Sequence, residues 1–192
     1  MVTNKNLNRH ALISVYDKTF LTKICATLKK YNIAIISTGS TAKKIVSLGY
    51  KCSEVSALTK FKEILDGRVK TLNPKVHASL LFDRKNSNHL KIFNSLDFPI
   101  IDFVIVNFYP FSKISTKDID KKIEMIDIGG PSMVRSASKN FNSVTTICDK
   151  KYYNQLIKEL ENNQGKTTLG FRRRMAQKNF KLTSDYDLSI FK

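Results

Sequence analysis

Residues 11–49 read ALISVYDKTFLTKICATLKKYNIAIISTGSTAKKIVSLG, and in this segment two short apolar runs alternate with two helical patterns. Apolar residues recur at every fourth position from Phe20 to Leu28, which predicts a helix with one buried stripe. The second helical pattern stops at Gly49, a residue that tolerates the left-handed conformation found just after helices. Alternation of this kind is typical of a parallel sheet covered by helices on both faces.

The same alternation continues through the rest of the chain. Strands are predicted at Leu12–Val15, Ala34–Ser37, Lys51–Val55, Phe103–Asn107 and Val144–Cys148. Helices are predicted at Thr19–Lys30, Thr41–Leu48, Asn88–Leu96, Ile119–Met125, Pro131–Asn140, Lys151–Glu161 and Thr168–Ile190. We expect the last helix to bury Met175, Phe180 and Tyr186, with a break near Thr183. The pattern predicts an α/β fold, a Rossmann-like three-layer sandwich around a mainly parallel sheet.

The length of 192 residues suits one domain, and no Pro-, Gly- or Ser-rich linker divides it. We therefore expect a single domain over residues 1–192. The longest mostly apolar stretch, residues 99–111, is too short to span a bilayer and contains Asp102 and Asn107. We therefore expect no membrane association. The three cysteines lie far apart without metal-ligand spacing, which favours a reducing cytoplasm and no metal.

The chain carries a formal net charge of +17, with 33 Lys and Arg residues against 16 Asp and Glu residues. Such a charge is typical of proteins that bind nucleic acid or anionic membranes. The basic residues are mostly scattered lysines, whereas phosphate clamps and base contacts favour clustered arginines, which occur only at residues 172–174. We interpret the charge as a solvated surface and expect no nucleic-acid partner.

Ligands in parallel α/β sheets bind beyond the carboxyl ends of the strands, so the loops that follow the predicted strands are the candidate site. The first loop contains Ser14, Tyr16, Asp17 and Lys18 beside a helix start. A lysine in this position suits a phosphate group, and an Asp-Lys-Thr helix cap without any ligand is the alternative.

The second loop reads STGST over residues 37–41 and leads directly into a helix. Backbone N–H groups and hydroxyls converge there on the positive end of the helix dipole, and Gly39 permits close approach of a phosphate. The loop lacks the lysine of a P-loop. A simple helix start capped by a threonine is the alternative interpretation.

The third loop, DGRVKTLNP over residues 66–74, places Arg68 and Lys70 two positions apart. In extended backbone two such side chains point the same way, which provides one forked donor and one ammonium for an anionic substrate. Thr71 and Pro74 favour a fixed loop conformation. A polar surface turn is the alternative interpretation.

The fourth strand ends in Asn107 and Tyr109, and the segment DIGGPS over residues 127–132 opens a helix that carries Lys139. Ser132, Arg135 and Lys139 fall at i, i+3 and i+7 and are predicted to share one helix face. A carboxylate, a phenol and an ammonium can then meet above the sheet. In the structural alternative, Tyr109 is half-buried and Lys139 is solvated.

Five motifs occur along the chain in one order: SVYDKT, STGSTAK, LDGRVKTLNPKVHASLL, VNFYPF and IDIGGPSMVRSASKN. In this order and spacing they resemble the inosine monophosphate (IMP) cyclohydrolase domain that forms the N-terminal half of the bifunctional purine biosynthesis protein. The resemblance runs from about Ala11 to the end of the chain. It implies a methylglyoxal-synthase-like fold, which agrees with the predicted sandwich.

The resemblance implies an enzyme of the hydrolase class that acts on cyclic amidine C–N bonds and runs in the ring-closing direction. It would convert 5-formamidoimidazole-4-carboxamide ribotide, a purine ribonucleotide precursor, into IMP and water in the last step of de novo purine biosynthesis. It implies no cofactor and assigns catalysis to Lys70, Tyr109, Asp127 and Lys139. It assigns substrate binding to Ser14, Tyr16, Asp17, Lys18, Thr38, Gly39, Ser40, Thr41, Arg68, Thr71, Asn107, Ile128 and Gly129.

The chain departs from the family pattern at two positions and in length. Asn73 stands where the family has a histidine, and Ser40 stands where a second glycine is usual. The formyltransferase domain of the family is absent from these 192 residues. A separate formyltransferase is therefore a candidate partner, and the sequence leaves a homodimer open.

Two alternatives share the same fold. A methylglyoxal synthase is expected to lack the GRVKT, FYPF and IDIGGP segments that this chain has. A regulatory module or a phosphate-binding remnant, similar to the effector domain of carbamoyl phosphate synthetase, needs a phosphate loop but no catalytic group. The presence of all four catalytic candidates argues against that second alternative.

Overall fold

A computed structural model describes residues 9–109, 111 and 118–191 and contains one five-stranded sheet. The strands lie in the order β3-β2-β1-β4-β5, and every pairing among them is parallel. Their bounds are β1 Arg9–Val15, β2 Ile33–Ser37, β3 Ser53–Glu54, β4 Ile101–Asn107 and β5 Thr145–Ile147. The sheet confirms the predicted α/β class and is parallel throughout.

The helices lie between the strands and after the last of them. Their bounds are α1 Leu21–Lys30, α2 Gly39–Ser47, α3 Val55–Thr59, α4 Pro74–Leu81, α5 Ser87–Ser95, α6 Ile119–Glu124, α7 Gly129–Lys139, α8 Tyr153–Asn162 and α9 Leu169–Phe191. Short 3-10 turns occur at Leu65–Gly67 and Lys150–Tyr152. None of the helices within the described ranges combines the length and the hydropathy that a membrane span requires.

Two apolar layers cover the two faces of the sheet, because successive side chains of a strand point to opposite sides. On one face, Ile13 of β1 packs with residues of α1, α2 and α8. On the other face, Leu12 packs with residues of α4 and α7. Helix α9 packs against α7 and the edge strand β5. This arrangement is the predicted three-layer sandwich.

The carboxyl ends of β1 and β4 form the middle of the candidate site. The connection from β1 runs to β2 on one side, whereas β4 lies on the other side, so the strand order reverses between β1 and β4. Such a reversal opens a crevice at the carboxyl edge of a parallel sheet. Val15 pairs with Asn107 at this edge, which sets the loops after the two strands side by side.

Two predicted elements differ in the structure. The strand predicted at Lys51–Val55 is only two residues long, because β3 is an edge strand that pairs with β2 alone and Val55 already begins α3. Helix α4 was not predicted at all. Its start is formed by Asn73, whose side chain accepts a hydrogen bond from the Lys75 N–H, and by Pro74 in the first turn.

The last helix also differs from its prediction in two respects. Helix α9 continues without a break through Thr183, whose side chain is buried and donates its hydroxyl proton to the Phe180 carbonyl. Met175 and Tyr186 are buried as predicted, but Phe180 is 39% exposed. The Arg135 guanidinium stacks over the Phe180 ring, 5.7 Å from its centroid. The ring therefore packs against a cation at the surface and not inside the core.

Candidate active site

A groove beyond the carboxyl ends of β1, β2 and β4 contains most of the predicted site residues. It consists of two adjoining cavities of about 500 and 410 Å³, which share Ser14, Thr38, Lys70 and Asp127. Its other predicted members are Tyr16, Gly39, Ser40, Thr41, Arg68, Thr71, Asn107, Tyr109, Ile128 and Gly129. Segments scattered along the sequence therefore meet in one place.

The start of α2 forms the floor of the groove. Thr41 is buried, and its hydroxyl donates to the Val15 carbonyl at 3.0 Å and accepts from the Val15 N–H at 3.2 Å. These two bonds fix α2 against the end of β1, so the Thr41 hydroxyl is occupied within the protein. Gly39 has a φ of +50° and begins the helix, so the first backbone N–H groups of α2 have no partner inside the helix.

The Lys70 ammonium lies directly over this helix start. A β-carbon on Gly39 would be only 2.7 Å from Lys70 Nζ, so a side chain at position 39 would displace the ammonium. Lys70 Nζ forms an ion pair with Glu63 at 2.5 Å, and the lysine side chain is only 22% exposed. The groove thus combines an ammonium and a helix N-terminus, two groups that favour anions.

Arg68 lies at the rim of the groove. Its guanidinium forms an ion pair with Glu124 of α6, and its side chain is 67% exposed. The prediction of extended backbone is wrong at this residue, because the preceding 3-10 turn leaves Arg68 with helical angles of φ −62° and ψ −31°. Arg68 and Lys70 nevertheless line the same cavity.

The loop that carries Lys70 is docked against the start of α7. Thr71 is buried, and a β-carbon on Gly129 would lie 2.6 Å from its hydroxyl oxygen. Glycine at position 129 therefore lets the loop and the helix approach closely. Ile128, the preceding residue, is 57% exposed at the edge of the groove.

Asp127 contributes a partly buried carboxylate to the groove. Its Oδ1 accepts a 2.7 Å hydrogen bond from the Gly130 N–H, and its own N–H donates to the Tyr186 hydroxyl at 2.8 Å. Burial raises the pKa of the Asp127 carboxyl, and the bond from Gly130 opposes this shift. A carboxyl with a raised pKa is suited to accepting and releasing protons.

Two aromatic side chains form one wall of the groove. The rings of Tyr16 and Tyr109 meet edge to face with centroids 4.3 Å apart. The side-chain hydrogen bond with Tyr16 raises the pKa of the Tyr109 phenol. A phenol is protonated at neutral pH even at its ordinary pKa of about 10, so Tyr109 has a proton to donate. Pro110 of the predicted loop lies outside the described residues.

Asn107 clamps the loop after β1. Its Oδ1 accepts from the Asp17 N–H at 2.8 Å, and its Nδ2 donates to the Asp17 carbonyl at 3.0 Å and to the Tyr153 hydroxyl at 3.1 Å. The side-chain amide is therefore used for holding the loop. Asn107 borders the groove, as predicted, and also shapes it.

Asp17 and Lys18 do not line the groove, although Asp17 is hydrogen-bonded to Asn107 at its border. Asp17 borders a neighbouring cavity of about 730 Å³, where its carboxylate pairs with Lys150 at 2.5 Å. The hydrogen bonds from Lys150 and Thr19 hold the pKa of the Asp17 carboxyl well below its usual range. Lys18 Nζ donates to the Tyr16 carbonyl at 3.2 Å, and Lys18 does not line the described cavities.

Lys139 is far from the other three catalytic candidates. It is exposed at the last position of α7, whereas Asp127 lies just before the first position. Lys139 lies ten positions after Gly129 in this helix, or about 15 Å along the axis. The expected meeting of Lys139 with Asp127 and Tyr109 does not occur within one chain.

Four further residues, which contact predicted site residues, were not identified as site residues from the sequence: Glu63, Glu124, Lys150 and Tyr186. Three of these contacts join residues 56, 59 and 133 positions apart in the chain, whereas Glu63 lies close to Lys70 in sequence. Within the described residues there is no group of three or more His, Cys, Asp or Glu side chains that could hold a metal ion.

The fold and the groove define a doubly wound α/β protein with a candidate anion site at the carboxyl edge of its sheet. Residues 20–132 match the model of the MGS-like domain, and residues 137–192 match that of the AICARFT/IMPCHase bienzyme. The chain belongs to the MGS-like domain family. This result confirms the methylglyoxal-synthase-like fold inferred from the sequence motifs.

Curated relatives and a solved structure extend this likeness. Proteins named bifunctional purine biosynthesis protein PurH are 44% identical over 185 residues in Chlorobium chlorochromatii and 45% identical over 184 residues in Mycobacterium marinum. Each match covers 95% of this chain and 35% of the relative, so the chain spans about a third of their length. The crystal structure of ForH superposes with a TM-score of 0.86 at 28% identity, covering 96% of this chain and 100% of that one.

Proposed function

We propose that this chain is an IMP cyclohydrolase, which closes the second ring of the purine in 5-formamidoimidazole-4-carboxamide ribotide. The observation that carries the proposal is the groove itself, where an ammonium, a phenol and a carboxyl with a raised pKa meet above a helix N-terminus. The matches to PurH proteins and to the AICARFT/IMPCHase bienzyme model support the choice of reaction.

The phosphate of the ribotide is proposed to bind between the start of α2 and the loop of residues 66–71. The N–H groups after Thr38 and the Ser40 hydroxyl border this position. Arg68 at the rim adds a forked donor once it leaves Glu124. The side chain of Ser40 is exposed, so the departure from glycine at this position leaves room for a phosphate.

The reaction is an intramolecular condensation. The carboxamide nitrogen bonds to the formyl carbon, and one proton moves from that nitrogen to the formyl oxygen. The resulting hydroxyl then leaves as water with a second proton, taken from the formylated nitrogen. Because an amide nitrogen is a weak nucleophile, the enzyme must polarise the formyl oxygen and accept the amide proton.

The residues of the groove suit these tasks. Asp127 is proposed to accept the carboxamide proton, because burial raises the pKa of its carboxyl. Lys70 is proposed to stabilise the charge on the formyl oxygen, and the protonated Tyr109 to orient the carboxamide. Folding both reacting groups of one molecule into contact supplies a further large part of the rate.

Lys139 enters this proposal only through a second copy of the chain. About 15 Å of helix separates it from the groove of its own chain, so in the proposed homodimer it acts in the groove of the other copy. Mixing the Lys139→Ala and Asp127→Asn variants should then restore activity that neither variant has alone. A mixture as inactive as its components, from variants that exchange subunits, would remove Lys139 from the mechanism.

The supply of substrate and the cell compartment are also part of the proposal. The relatives are named bifunctional, and a formyltransferase, in the same or a separate protein, must produce the formylated ribotide. We place the reaction in the cytoplasm. The free state of Cys25, Cys52 and Cys148 supports a reducing compartment.

The direct test supplies the formylated ribotide and follows the ultraviolet change of ring closure. We expect turnover by the unmodified chain and a loss of about 10²–10³ in kcat for Lys70→Met, the usual effect of removing one electrostatic donor. Lys44→Met, at an exposed position of α2, is the matched control and should keep full turnover. Absence of ring closure by the unmodified chain would refute the proposal.

A further inference from the structure

We propose that Tyr186 of α9 is a positioning residue that holds the Asp127 loop in its reactive conformation. The five motifs that carry the resemblance do not contain this residue, which lies 59 positions beyond Asp127 in the chain and was predicted only as a core residue. The proposal rests on the proposed function, because it concerns the carboxyl assigned there as the proton acceptor. It assigns to the C-terminal helix a part in the chemistry of the groove.

The contact itself is direct. The Tyr186 hydroxyl oxygen accepts a 2.8 Å hydrogen bond from the Asp127 backbone N–H. The Tyr186 ring is only 7% exposed and packs at 5.2 Å, in a tilted arrangement, against Phe108, which follows β4. The phenol is therefore held by the same strand end that carries Asn107 and Tyr109.

This bond completes a two-point attachment of Asp127. The side chain is tied forward to the Gly130 N–H at 2.7 Å, while the backbone is tied to Tyr186. Asp127 precedes the first residue of α7, so its N–H has no partner inside that helix. Without the Tyr186 hydroxyl, only the bond from the Gly130 N–H would hold Asp127. The Asp127 backbone would then be free to rotate while its carboxylate stayed bonded to Gly130.

A buried amide sets the position of Tyr186 along the sheet. Asn179 is 1% exposed, and its Nδ2 donates to the Thr146 carbonyl at 2.9 Å and to the Ser138 hydroxyl at 3.1 Å. These bonds join α9 to β5 and α7. Tyr186 lies seven residues, or about 10 Å, further along the same helix face, at the edge of the sheet that carries the groove.

The contact also joins the two regions matched by different family models. Asp127 lies in the MGS-like region, residues 20–132, whereas Tyr186 lies in the region that matches the AICARFT/IMPCHase bienzyme, residues 137–192. The phenol thus comes from the segment that the MGS-like model does not cover. We infer that this segment helps to adapt the shared groove to the proposed ring closure.

The test compares Tyr186→Phe with Tyr31→Phe. The first keeps the ring against Phe108 and removes only the hydroxyl, and the second makes the same change in a half-buried tyrosine that does not line the described cavities. We expect Tyr186→Phe to speed hydrogen exchange of the Asp127 amide and to lower kcat at least about tenfold with KM changed less than about twofold. Tyr31→Phe should change neither quantity.

Three results would overturn the proposal. Unchanged exchange at the Asp127 amide in Tyr186→Phe would remove the hydrogen bond from the argument. Faster exchange with an unchanged kcat would show that the bond is structural only. If the unmodified chain closes no ring, the proposed function fails. The positioning role has a separate test, because IMP binding should slow exchange of the Asp127 amide more in the unmodified chain than in Tyr186→Phe. Equal slowing in the two proteins would overturn that role.

Discussion

Asp127 and Gly130 are in direct contact at the start of α7. The Asp127 Oδ1 accepts the Gly130 N–H at 2.7 Å, and a β-carbon on Gly130 would lie 2.9 Å from the Asp127 Cγ and overlap Oδ2. Only glycine at position 130 leaves this space for the carboxylate. The close approach keeps the acid partly buried, and burial raises the pKa of its carboxyl.

The raised pKa of Asp127 predicts how turnover depends on pH. As a proton acceptor, Asp127 must be ionised, so kcat should rise with pH through the raised pKa, above the ordinary value of about 3.9 for aspartate. The measurement is kcat for ring closure from pH 4 upwards with a check that the protein stays folded. A rate that is already constant at the ordinary aspartate pKa would contradict this role.

The same shift predicts that Asp127 destabilises the folded chain at neutral pH. Its carboxyl holds a proton more tightly when folded, so between the ordinary and the raised pKa the free energy of unfolding falls as pH rises. Asp127→Asn keeps an acceptor for the Gly130 N–H but carries no charge. At pH 7 this variant should therefore unfold at a higher temperature than the unmodified chain, while it loses ring closure. The difference should vanish below about pH 3.9. A lower melting temperature for Asp127→Asn at pH 7 would contradict this.

Gly39→Ala tests the close approach of Lys70 to the start of α2. Gly39 and Gly49 both have positive φ, +50° and +81°, so alanine at either position should cost about 1–2 kcal/mol in the free energy of unfolding. Only the Gly39 β-carbon would lie 2.7 Å from Lys70 Nζ, and the space at Gly49 is open. Turnover measured on folded protein should fall for Gly39→Ala alone. Equal losses of turnover in both variants would refute the role given to Lys70.

The sheet and the loops that form the groove were predictable because they depend on local patterns. Strand carboxyl ends in a parallel sheet meet at one edge, so Ser14, Thr38 and Asn107 could be placed together from the alternation of apolar runs. The start of α4 was missed although Asn73 and Pro74 form a recognisable cap and first turn. In the sequence, the same two residues also indicate a turn.

The rest of the site depends on contacts that periodicity does not encode. Helical spacing gave the face of α7 that carries Lys139 but not the distance of about 15 Å from the groove along the helix. Glu124 and Tyr186 contact Arg68 and Asp127 across 56 and 59 positions of the chain. Tyr186 was predicted only as a core residue, because its burial follows from the helical pattern and its partner Asp127 does not.

The Arg68–Glu124 ion pair must open before Arg68 can bind a phosphate, so Glu124→Gln should tighten binding of IMP. Both side chains are more than half exposed, and an ion pair of this kind is worth about 0.2–1 kcal/mol. Removing the pair should therefore lower the Kd of IMP by up to about fivefold. Isothermal titration with IMP measures this change, and the melting temperature should stay nearly constant. Asp120→Asn removes one negative charge from the same helix, leaves Arg68 paired and should keep the original Kd. Weaker binding by Glu124→Gln would mean that Glu124 contacts the nucleotide itself.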